Sequence, residues 1–159
     1  MIKSPNGDDH VRVGPDDRSL SADSILFINP ETKRPCQQPP WSELTAINAN
    51  TGDIVWKVLL GSYEVLDAKG VPKNGATNRG GSMATAGGLV FIGATEDQKF
   101  RAFDSRTVKQ LWSAALVDVA RSIPMTFEGK NGKQYVAVMA GGGNAGAVGP
   151  GRLYVFGLP

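Results

Sequence analysis

The chain has 159 residues, 41% of them hydrophobic, enough to build the core of one sizeable domain. Its formal charge of +2 and charged fraction of 20% give no electrostatic case for nucleic acid or an anionic membrane. One cysteine, Cys36, and one histidine, His10, exclude an internal disulfide and argue against zinc, and the absence of Cys-x-x-Cys-His excludes an attached c-type haem within the chain.

In chain order, residues 1–23 are polar and rich in Asp, Pro and Gly, and read as a loop or flexible arm. No basic start followed by an apolar run marks a signal peptide. Ser24–Asn29 is a short strand candidate, and Pro30–Pro40 is a proline-punctuated loop ending at Trp41. Two strands are expected near 43–48 and 53–60, around a polar Asn48-Ala49-Asn50-Thr51-Gly52 turn. Residues 61–79 form a long polar connection, a length that is usually functional or mobile when it lacks structure of its own. Strands follow near 82–86, 89–95, 99–104 and 110–116, then a hairpin of 122–128 and 134–140 across Gly129–Lys133. Gly141–Gly151 is a glycine-rich loop, and Leu153–Phe156 is a last strand. The longest apolar stretches, Leu89–Ile92 and Tyr135–Ala140, are strand-length and cannot span a bilayer. No helix of useful length is expected.

The chain also repeats itself. Leu44-Thr45-Ala46-Ile47-Asn48-Ala49-Asn50-Thr51-Gly52-Asp53-Ile54-Val55-Trp56 matches Phe100–Trp112 without a gap: Ala46, Asn48, Thr51 and Trp56 fall on Ala102, Asp104, Thr107 and Trp112. A period near fifty residues signals a repeat architecture in which each unit is one supersecondary element. Asn48 and Asp104 can accept hydrogen bonds from amides two or three residues on and so pin the turn. Gly52 supplies a positive φ, but its counterpart is Val108, so the second turn is either different or strained. Ala46, Trp56, Ala102, Asp104 and Trp112 read as structural docking positions, because recurrence argues for repeated packing rather than two active sites.

The pattern Ala-x-Asp-x-x-Thr-Gly-x-x-x-Trp resembles the tryptophan-docking motif of quinoprotein dehydrogenases, β-propellers that use pyrroloquinoline quinone. Asn78–Thr95 resembles the last complete blade of that family. Pro124–Phe127, Gly132–Val136 and Ala140–Gly143 resemble its closing segment, and Arg34–Trp41 its glucose-dehydrogenase-like branch. The resemblance covers about residues 34–159. It implies an all-β, partial propeller forming a single domain: about two and a half four-stranded blades of an eight-bladed whole, with the complete blade at 82–116. It further implies a C-terminal piece of an enzyme that oxidises an alcohol or a glucose-like sugar, in the periplasm or on the outer face of the inner membrane, and delivers electrons to quinone or cytochrome. In that family calcium polarises the quinone and an aspartate takes the substrate proton. Both sites belong to preceding blades, so none of the 15 acidic residues is assigned a catalytic or metal role and the isolated chain is expected to be inactive.

Two segments could still contribute. The cofactor carries three carboxylates, which suit a guanidinium and backbone amides. Asn78, Arg79, Gly80 and Gly81 enter the innermost strand of the complete blade and are the cofactor-binding candidates; the bland alternative is a strand-entry turn with a solvated arginine. Gly142, Gly143 and Asn144 are the candidate substrate rim, but without the Gly-Lys-Ser/Thr ending of a phosphate cradle. Asp97 with Arg101 and Asp104 with Arg106 read as surface or turn pairs of little energetic weight, and Cys36 as a packed or idle thiol. Two other functions stay open: a non-catalytic propeller scaffold, and an interaction module that self-associates through open blade edges.

Overall fold

The computed structural model describes residues 10–13, 18–21, 29, 35–70, 74–141 and 151–157. The chain divides into two compact units, Met1–Gln38 and Pro39–Pro159, where the sequence reading treats it as one domain. In the first unit β1 (His10–Val13) pairs antiparallel with β2 (Arg18–Ser21), His10 opposite Ser21. A loop was expected here. Val11, Val13 and Leu20 are apolar residues within these two strands, a short pattern that the polar composition of residues 1–23 outnumbers. The candidate strand Ser24–Asn29 lies outside the described residues except for Asn29.

The second unit is almost entirely antiparallel sheet. β3 (Glu43–Ile47) pairs with β4 (Ile54–Leu59). A four-stranded sheet follows in the order β5 (Ser82–Ala84), β6 (Leu89–Ile92), β7 (Lys99–Asp104), β8 (Gln110–Ala115). The last sheet has β9 (Met125–Glu128) and β11 (Arg152–Gly157) on either side of β10 (Gln134–Ala140). Among the described residues every pairing of named strands is between sequence neighbours, as short connections favour.

The alternating side chains of the complete sheet serve two cores. Val90, Ile92 and Phe103 pack with Leu60, Leu44 and Val58 toward the two-stranded sheet. Phe91, Phe100 and Ala102 pack with Val136, Val138 and Phe156 toward the three-stranded one. A sheet buried on both faces by its neighbours is the expected result of stacking repeat units.

The repeat is reproduced in backbone detail. Ala46 pairs with Trp56 and Ala102 with Trp112, and each hairpin shifts register just after its alanine. Asn48 Oδ1 accepts the Asn50 N–H at 2.9 Å. Asp104 Oδ1 accepts the Arg106 and Thr107 N–H groups at 2.9 and 2.7 Å, which holds its carboxyl below the ordinary carboxylate range. Gly52 N–H bonds Asn48 O at 2.7 Å and Val108 N–H bonds Asp104 O at 3.0 Å. Gly52 has φ +80° and Val108 φ +63°, so the second turn keeps the geometry of the first and valine occupies a left-handed position.

The connection 61–79 is more structured than its composition suggests. It holds one helical turn, α1 (Glu64–Asp67). The Asn74 side chain is fully buried and its Oδ1 accepts the Tyr63 N–H at 2.8 Å. The Tyr63 hydroxyl donates to Glu96 Oε2 at 2.5 Å, and burial together with that carboxylate raises the phenol pKa. Trp41 meets the Tyr63 ring edge-on, with centroids 5.7 Å apart.

Candidate functional site

Antiparallel pairing of sequence neighbours sends alternate connections to opposite ends of the stacked sheets. One end collects 60–70, 74–81, 93–98, 116–124 and Gly141. The other collects the tight turns at Asn48–Asp53, Thr85–Leu89 and Asp104–Lys109. Of the two candidate segments from the sequence, Asn78–Gly81 therefore belongs to the first end.

Asn78–Gly81 runs beside the turn between β6 and β7. Asn78 forms an isolated antiparallel bridge with Thr95, and Arg79 N–H bonds Ala94 O at 3.2 Å. Asn78 Oδ1 accepts the Gly80 N–H at 2.9 Å, which fixes the entry into β5. Arg79 is exposed, and its side chain makes no ion pair among the described residues. The two glycines have a packing reason. A Cβ on Gly80 would stand 2.4 Å from Ala94 Cβ and 3.0 Å from Arg121 O, and one on Gly81 would stand 2.8 Å from Ile123 Cγ1. Gly142, Gly143 and Asn144 lie outside the described residues. Their neighbour Gly141, with φ +99°, donates its N–H to Val119 O at 3.1 Å.

The Leu116–Pro124 connection thus touches Gly80, Gly81 and Gly141, and hydrogen bonds to β10 and β11 anchor it. Tyr154 OH accepts the Val117 N–H at 3.2 Å. Ser122 Oγ accepts the Met139 N–H at 2.9 Å. Arg121 on this connection was not singled out from the sequence. It belongs to no repeat motif, and only the folded chain brings it against Gly80.

Asp97 and Arg101 correct the expectation of a weak surface pair. Both side chains are 6% exposed, and the carboxylate and guanidinium are in direct contact. Burial pushes the Asp97 pKa up, but hydrogen bonds from Arg101, Thr95 and the Ser62 N–H outweigh it and leave the carboxyl below its ordinary value. This ion pair ties the β6–β7 turn to β7 and to the chain leaving β4. It is a buried structural link behind the Asn78–Thr95 bridge, and it leaves Asp97 committed to its partners.

Trp56 and Trp112 differ. The Trp56 indole is half-buried and donates to Ser105 O at 2.8 Å. Trp112 is 38% exposed; it packs edge-on against Phe100 and Phe156 at 6.0 and 5.0 Å, with no partner for its N–H among the described residues. An apolar groove of about 550 Å³ opens beside it, lined by Leu111, Trp112, Phe91, Val136, Val155 and Gly157. The groove lies toward the turn end, and none of Asn78–Gly81 lines it. Cys36 is exposed. Among the described residues no three His, Cys, Asp or Glu side chains converge into a metal-binding group.

Antiparallel sheets stacked face to face, four strands in the complete one and with an apolar core on each of its faces, define a segment of a β-propeller. The sequence places it further. Residues 5–136 match the PQQ glucose/ethanol/alcohol dehydrogenase β-propeller domain, and the chain belongs to this family. It is 40% identical over 130 residues to quinoprotein glucose dehydrogenase A of Acinetobacter calcoaceticus, which covers 79% of this chain and 16% of that protein. It is 43% identical over 114 residues to the quinate/shikimate dehydrogenase (quinone) of Acinetobacter baylyi, covering 68% and 14%. Quinohemoprotein alcohol dehydrogenase from Comamonas testosteroni superposes with a TM-score of 0.59 at 25% identity, covering 80% and 18%. The chain therefore spans about a sixth of the length of these relatives.

Proposed function

We propose that the chain is a C-terminal propeller segment of a PQQ-dependent dehydrogenase that oxidises an alcohol or sugar and delivers electrons to quinone or cytochrome. Family membership supports the cofactor class. The observation that carries the assignment of a pocket is the convergence of Asn78–Gly81, Leu116–Pro124 and Gly141 at one end of the sheets. Arg79 fits a polycarboxylate, since its guanidinium is exposed and unclaimed by a described carboxylate. Gly80 and Gly81 support the site indirectly, by letting the strand entry lie flat against Ala94 and Arg121. PQQ, when bound, supplies the two-electron acceptor. The residues seen here bind and orient it, and Gly142, Gly143 and Asn144 form the substrate rim. Calcium and the catalytic aspartate come from other parts of the longer enzyme, so the isolated chain does not turn over. The same reading places the protein in the periplasm. Among the described residues no helix is long and apolar enough to cross a membrane.

The test is to add PQQ and calcium, follow tryptophan emission, and then offer glucose, glycerol or quinate with a redox dye. Emission should change without dye reduction. Dye reduction above a protein-free control would overturn the inactivity; unchanged emission at saturating PQQ would overturn the pocket. Export of an alkaline-phosphatase fusion of the full-length protein should give an active reporter, and an inactive reporter would overturn the location.

A second reading rests on the edge of β11, which among the described residues pairs only with β10. We propose that a second copy covers this edge and the adjoining apolar groove, since both are unpartnered among the described residues. Light scattering should show a dimer or larger species at high concentration. A strict monomer would exclude it.

A further inference from the structure

We propose that Arg121 is a carboxylate-binding residue at the connection end of the sheets, an inference that rests on the pocket reading above. The argument begins with an unmet need. The Nε of Arg121 is buried, yet it has no hydrogen-bond partner among the described residues. Nor does Arg121 join any of the ion pairs among the described residues, which are Lys57–Glu43, Lys99–Glu64 and Arg101–Asp97. A buried N–H of a guanidinium without an acceptor is costly, and native structures retain such a group where something else supplies the acceptor.

Its surroundings indicate what that acceptor is. Arg121 O lies 3.0 Å from where a Gly80 Cβ would be, so the backbones of Arg121 and Gly80 touch, and Arg79 is the next residue. Val119, two residues earlier, accepts the Gly141 N–H, and Ser122, the next residue, is bonded to the end of β10. The backbone at Arg121 is therefore held between Gly80 and Gly141, on a connection fixed from both sides. Arg79 and Arg121, at one sheet end and neither in a described ion pair, suit an anion with more than one carboxylate, because a guanidinium presents paired donors in one plane. A carboxylate could reach Arg121 from PQQ or from an acidic substrate such as quinate. The chemistry is the same, and the experiment separates the sources.

Arg121→Met and Arg121→Lys would be compared with the parent chain by thermal melting and by fluorescence titration with PQQ, then with quinate or glucose in the presence of PQQ. Without ligand, Arg121→Met should melt at or above the parent temperature, because it removes an unsatisfied buried donor. A clear fall would reveal a structural role and overturn the proposal. Loss of about tenfold or more in PQQ affinity, partly restored in Arg121→Lys, assigns the cofactor as the source. Unchanged PQQ affinity with loss of a quinate-specific shift, glucose being indifferent, assigns the substrate. A parent chain that binds PQQ, with Arg121→Met matching it toward both ligands, overturns the role of Arg121 while leaving the pocket intact. A parent chain that binds neither ligand overturns the pocket and the role of Arg121 with it.

Discussion

The indole N–H of Trp56 on β4 donates to the main-chain carbonyl of Ser105, 49 residues away in the turn that follows β7. One repeat thus reads the turn of the next: the tryptophan closing the first hairpin caps the Asp104 loop of the second. The hydrogen bond is partly shielded from water and joins two sheets that also share the Leu60, Val90, Ile92 and Phe103 core.

Trp56→Phe keeps most of the ring and removes the donor. The expected loss is about 0.5–1.5 kcal/mol, the net worth of a typical intramolecular hydrogen bond. Urea unfolding would show a lower midpoint with an unchanged slope. An unchanged midpoint would mean that the ring, and not the bond, docks the sheets.

Trp112→Ala should cost less than the roughly 3–5 kcal/mol of a fully buried aromatic, because 38% of the residue is exposed and its N–H has no described partner. Chemical denaturation of Trp112→Ala and Trp56→Ala side by side checks this, and a larger loss at Trp112 would overturn it.

Val108→Gly should stabilise the chain slightly. Valine at φ +63° carries a penalty on the order of 1–2 kcal/mol. Glycine removes it but gives back about 0.5–1 kcal/mol through the freedom of the unfolded chain. The melting temperature should rise by a few degrees at most. A fall would show that the valine side chain contributes contacts worth more than the strain.

The Asp97–Arg101 pair gives a pH signature. The folded pKa of Asp97 lies below its ordinary 3.8, through Arg101, Thr95 and Ser62 acting against burial. Its contribution is fully present above the unfolded value and is lost as the pH falls through the lower folded value. Stability should therefore decline in acid below about pH 4, and Asp97→Asn should flatten that decline. Arg101→Met leaves a buried carboxylate without its cation and should cost about 3–5 kcal/mol at neutral pH. Denaturant midpoints from pH 2.5 to 7 would check both. An acid profile identical in Asp97→Asn would sink the assignment.

Some of these features were legible in the amino-acid sequence alone because they are local. The strand spacing of Thr45, Ile47, Ile54 and Trp56 around the Asn48–Gly52 turn, with the motif repeated from Phe100 to Trp112, determined two equivalent hairpins and an all-β repeat protein. Asp104 pins its turn as its spacing implies, since the acceptor and the amides it meets are two or three residues apart. The tertiary structure decided what depends on distant neighbours. Arg101 and Asp97 are close in sequence, but their burial comes from the chain near Gly61 and Ser62, so their side chains alone resembled a surface pair. Trp56 and Trp112 are equal in the repeat and unequal in the fold, because Ser105 answers only the first. Arg121 carries no motif, and only folding sets it against Gly80 with a buried Nε that has no partner among the described residues. Periodicity encodes which face a residue takes on its own strand; what waits on the other side of that face belongs to the packed chain.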